Sequence, residues 1–150
     1  MAYTARFYQF DASAPSHEAL RAKAEELAGL PLTLEPRTEA EAWIAFACQD
    51  GTATVSVGAQ TVGVLAKSVS CSVLLDLLDM SIRDLGGVAL ESTPRDLPLP
   101  LTPEFIRRET DARLAEAQQA ARRVRRVVGL IAAAVLAVLV GLAWIALSAG

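Results

Sequence analysis

Apolar and polar positions alternate in several short runs of the first 92 residues and recur at helical spacing in two others. "AYTARFYQF" (Ala2–Phe10) puts Tyr3 and Phe7 on one face of a strand and Tyr8 and Phe10 on the other. A strand apolar on both faces belongs inside a sheet. Asp11–Pro15 then turns the chain. Leu20, Ala24 and Leu27 mark the inner side of a helix that Ser13 or Ser16 caps and Gly29 and Pro31 stop. Leu30, Leu32 and Leu34 alternate in a second strand that ends at Pro36.

"AWIAFACQDGTATVSVG" reads as a hairpin turning at Asp50-Gly51, with Thr52, Thr54 and Ser56 on a wet face of its second strand. Thr61–Ser68 predicts a further strand beside it. "SCSVLLDLLDMSIRDLGG" predicts an amphipathic helix, with Leu74, Leu77, Leu78, Ser81, Ile82 and Leu85 on the inner side and Asp76, Asp79, Arg83 and Asp84 outside. Ser70 or Ser72 would cap it and Gly86 end it. Val88–Ser92 returns as a last short strand. The expected fold is α+β: a mostly antiparallel sheet with two helices on one face, ferredoxin-like in flavour with an extra strand.

That domain spans residues 1–92. "TPRDLPLPLTP" follows, its four prolines predicting a stiff extended linker over 93–102 and not more core. Thr102 and Pro103 suit the cap and first residue of a new helix, and 103–126 favours helix throughout. Its Phe105 and Ile106 are placed to pack back on the domain. The heptad pattern of a coiled coil is missing after Leu114, so 103–126 reads as a stalk of about 35 Å ending in a basic collar.

Residues 127–147 carry no charge and as a helix would span about 31 Å, the thickness of a hydrocarbon core, leaving 148–150 as a tail. The pattern predicts a single transmembrane helix. Arg122, Arg123, Arg125 and Arg126 form a collar on its N-terminal flank, and "MAYTARFYQF" has no export-signal pattern. Both place the domain in the cytoplasm. In layout the chain resembles tail-anchored proteins, a topological class that implies nothing about activity. Gly129, Ala133, Ala137 and Gly141 recur every four residues, a spacing that suits a helix–helix seam in the membrane, and Trp144 suits an interfacial anchor.

The net charge of −3 hides an asymmetry, since every acidic residue lies at or before Glu116 and the collar follows it. An acidic domain argues against nucleic acid as a partner, whereas the collar can meet anionic lipid headgroups. Membrane lipids, together with a protein partner or a second copy in the membrane, are the partners implied. Cys48 and Cys71, far apart in the chain and without a secretory signal, read as reduced.

Chemistry is sparse. His17 is the one histidine and reads as an exposed polar residue; no GxSxG elbow and no metal-ligand spacing occurs. Gly58 and Gly63 lack the GKS or GKT of a phosphate loop. The carboxylate pairs Asp76/Asp79 and Glu39/Glu41 read as solvated surface. Cys71 has a mechanism: at a helix N-terminus a thiolate is stabilised, so it is the candidate reactive thiol, with Cys48 a core residue. No catalytic residue, cofactor or metal is called for. The sequence therefore predicts a non-enzymatic, membrane-anchored interaction or regulatory module. The alternatives are an accessory subunit of a larger membrane complex and a thiol-based redox sensor or enzyme using Cys71.

Overall fold

A computed structural model describes residues 4–34, 43–49, 51–91, 96–98 and 101–148. The chain forms two compact units, Met1–Leu114 and Ala115–Gly150. The first contains β1 (Thr4–Gln9), α1 (His17–Ala28), β2 (Trp43–Cys48), β3 (Gly51–Val57), β4 (Thr61–Ala66), α2 (Ser72–Asp84) and β5 (Val88–Ala89). It also contains the opening turns of α3 (Pro103–Ser148).

The five strands form one sheet in the order β2-β3-β4-β1-β5, each pair antiparallel. The connection β1-α1-β2 passes over two intervening strands, β4 and β3, and β4-α2-β5 passes over one, β1. This is the ferredoxin-like arrangement with β2 added at the edge, so the expected α+β class holds. Register explains which face is inside. Tyr8 sits opposite Val62, and Val55 opposite Val64, so these side chains share one face. They are buried there with Leu20, Ala24, Leu78 and Ile82 of the two helices. Phe7, one residue out of phase, is 50% exposed on the other face.

Local chemistry sets the helix ends. Ser16, in extended conformation, accepts a bond from the Ala19 N–H to start α1, and Gly29 at φ 66° ends it in the left-handed region that glycine adopts without strain. The Leu32 N–H and the Arg21 guanidinium both bond the Glu25 carboxylate at 2.9 Å, holding its pKa below the usual carboxylate range. Thr102 accepts from the Phe105 N–H at the start of α3, as its sequence suggests.

Five expectations are corrected. The strand over Leu30–Pro36 reduces to one bridge, Leu34 opposite Phe46, because within the described residues only Thr33 and Leu34 bond the outer edge of β2; its far end lies outside the described residues, as do Glu39 and Glu41. The proline-rich segment is not separate from the core: Leu97 and Leu101 are each only 5% exposed and are packed in it, with Phe105 and Ile106 against it as predicted. Neither Ser70 nor Ser72 caps α2; Ser68 caps a 3-10 turn, Val69–Cys71, that leads into it. Asp76 and Asp79 are buried, not solvated, because arginines from β1 and α3 reach them. Cys48 and Cys71 are not reduced but bonded to each other.

Candidate functional site

Three places in the chain concentrate polar or reactive groups, or expose apolar ones. The first is a buried ionic layer between sheet and helices. Arg6 shares the inward face of β1 with Tyr8 and Phe10, and its Nη2 donates to Asp76 Oδ1 at 2.9 Å. Arg113 of α3 donates to the other oxygen of Asp76 at 2.7 Å. One turn along α2, Asp79 accepts from the Tyr8 hydroxyl and, at 3.0 Å, from Arg83, which also pairs with Asp96.

Asp79 is completely buried, and a buried carboxylate is tolerated only when paired and hydrogen-bonded. Burial first, and then the hydrogen bond to Asp79 and its charge, push the Tyr8 hydroxyl well above its usual pKa, so Tyr8 remains a donor. The Asp96 bond, with Asp79 adding to it, raises the Arg83 pKa in turn. Arg6 Nη1, 3.8 Å from Asp79 Oδ1, and Arg113 Nη2 are buried without a hydrogen-bond partner, which leaves two donors of this layer unmatched among the described residues. Charge here ties three segments together: β1, α2 and the opening of α3.

The second place is the Cys48–Cys71 disulfide. The hairpin carries Cys48 to the end of β2 opposite Gly51, beside the entry to α2, and brings the two Cα atoms to 5.4 Å. Cys71 is the residue that precedes α2 and is fully buried; Cys48 is partly exposed. Cys48 also lines a pocket of about 280 Å³ with Leu32, Leu74, Leu77, Leu101 and Ile106. The pocket is mostly apolar, with Thr33, Gln49 and Arg107 as polar points on its wall.

The third place is the second unit, described by itself. Its part of α3 is helical to Ser148, and the helix is long and apolar enough to cross a membrane. Among its described residues Leu130 and Trp144 are 72% and 74% exposed. Arg122, Arg123, Arg125 and Arg126 are exposed on the same helix. Gly129, Ala133, Ala137 and Gly141 are exposed too, and a Cβ added at either glycine would meet nothing within 4 Å.

The remaining sequence candidates are placed as follows. His17 opens α1 and is half-buried, its Nε2 buried without a hydrogen-bond partner, in place of the exposed position expected. Among the described residues, no three acidic, histidine or cysteine side chains stand close enough to hold a metal ion. The ionic layer was missed from sequence, although one signal was present: Arg6 falls in phase with Tyr8 and Phe10 on the inward side of an apolar strand. An inward arginine implies a buried acid, and only the fold shows which one. No protein-family model, no curated protein and no solved structure matches the chain.

Proposed function

We propose that this chain is a membrane-anchored interaction module, in which the α+β domain is held on the cytoplasmic face by the apolar part of α3. The observation that carries the reading is the long run of exposed apolar side chains on that helix, from Val127 to Trp144. In water such a surface is a liability; in a bilayer of about 30 Å it is matched. The four arginines on its N-terminal flank support a cytoplasmic domain, since basic residues beside a span favour that side. They also suit anionic headgroups.

The test is extraction of membranes with alkaline carbonate, together with protease protection of tags placed at each end of the full chain. The proposal expects the chain in the pellet and the N-terminal tag digested only from the cytoplasmic side. Release by carbonate overturns the anchor; an N-terminal tag protected on that side overturns the orientation.

A second reading, a subunit of a larger membrane complex, is favoured by the open surface at Gly129 and Gly141. Gly141→Leu would then lower recovery of co-purifying membrane proteins in mild detergent without altering the domain. Unchanged recovery counts against it.

A further inference from the structure

We propose that the Cys48–Cys71 bond is a reversible thiol–disulfide switch, that Cys48 is the sulfur attacked, and that its state sets how firmly the end of β2 and the adjoining pocket wall are held to α2. The switch, as distinct from a permanent crosslink, rests on the cytoplasmic reading above. Disulfides that form on that side of a membrane are as a rule transient and redox-responsive.

Position separates the two sulfurs. Cys71 is fully buried, whereas Cys48 is partly exposed and lines the pocket, so an incoming thiolate reaches Cys48 first. The leaving sulfur is then that of Cys71, the residue at the mouth of α2. At that position the positive end of the helix dipole favours a thiolate. The Ser70 hydroxyl, which donates to Ser68 Oγ at 3.0 Å, stands 4.0 Å from the same sulfur.

The exchange balances with a low-molecular-weight thiol such as glutathione. Its thiolate forms a bond to Cys48 Sγ and breaks the protein disulfide, and Cys71 leaves as a thiolate that takes up a proton. A second thiolate attacks the mixed disulfide, which releases Cys48 as a thiol and the small molecule as its own disulfide. Two electrons pass to the protein, and the reverse sequence with the oxidised small molecule restores the bond.

The structure also shows what the bond holds. Gly51, opposite Cys48, lies so close to the segment before α2 that a Cβ there would stand 2.7 Å from the Ser68 Cβ and 3.6 Å from the Cys71 sulfur. Next to Cys48, the Ala47 N–H donates to the Thr33 carbonyl at 2.9 Å, and both residues line the pocket. Opening the disulfide frees this edge of the sheet, while the ionic layer still holds α2 to β1.

The full chain in detergent micelles is exposed to reduced glutathione, free thiols are counted by a maleimide mass tag, and amide exchange is read by mass spectrometry. The bond opens without denaturant, an early mixed disulfide maps to Cys48, and the segment containing Ala47 exchanges about tenfold faster while β1 does not change. Oxidised glutathione reverses all three. Cys48→Ser exchanges like the reduced protein under both conditions.

A bond that opens only after unfolding, a mixed disulfide on Cys71, or an unchanged Ala47 segment overturns the proposal. These readouts need no variant to fold. They are also independent of orientation: a domain shown to face away from the cytoplasm removes the cytoplasmic reading, whereas failed exchange removes the switch alone.

Discussion

Helix α2 and the apolar part of α3 depart from the usual distribution of polarity in opposite directions. In α2 two aspartates are almost wholly buried while the sequence pattern would put them in water. In α3 the apolar side chains beyond Val127 are largely exposed. The comparison teaches that each departure must be matched from outside the helix. For α2 the match comes from elsewhere in the domain, from Arg6, Arg113 and the Tyr8 hydroxyl, with Arg83 of the helix itself adding a second contact to Asp79. For α3 the side chains from Val127 to Trp144 stay exposed among the described residues, and the proposed membrane anchor rests on that exposure.

The contrast predicts unequal responses to charge. Inserting two lysines, Val135→Lys with Leu139→Lys, should cost about 6 kcal/mol of membrane insertion, at roughly 3 kcal/mol each near a helix centre. The double variant should appear in the carbonate supernatant, and a variant that stays in the pellet would break the comparison. Removing a charge from α2 should act in the reverse sense. Asp79→Ala leaves Arg83 and the Tyr8 hydroxyl around an empty site and should cost about 3–5 kcal/mol in denaturant unfolding. Asp84→Ala, at an exposed position on the same helix, should stay within about 0.5 kcal/mol and serves as its control.

A smaller effect sharpens the assignment within the layer. Because the Tyr8 pKa is raised in the folded state, its neutral form is favoured there. The stability it contributes is complete below the unfolded tyrosine pKa of about 10 and is lost as pH rises from there toward the folded value. Tyr8→Phe should cost about 1 kcal/mol near neutral pH and make the thermal midpoint less sensitive to alkali. An identical alkaline decline in both proteins would remove Tyr8 from the argument. An effect of similar size lies at the collar: Arg125→Gln should weaken binding to vesicles containing anionic lipid by about 1 kcal/mol, a difference that shrinks as salt is added.

Much of the architecture was legible in local patterns. Alternation located the hairpin, helical spacing located α1 and α2, and the cap residues Ser16, Gly29 and Thr102 act where short-range chemistry places them. The proline-rich segment misled, because prolines report that regular structure stops, and do not report whether the leucines between them are buried. Leu97 and Leu101 show that an irregular segment can still supply core.

The pairings of the candidate sites belong to another category. Arg6 and Asp76 are 70 positions apart, and Cys48 and Cys71 are 23 apart. No period or motif links such residues, since each pair meets only after strands have taken their order in the sheet. An apolar run, a cap or a charge-free span is decided by neighbours in the chain, because the preference of a residue for helix, turn or hydrocarbon acts at short range. Whether an aspartate is surface or core, and whether a thiol finds a partner, depends on what the fold brings opposite it.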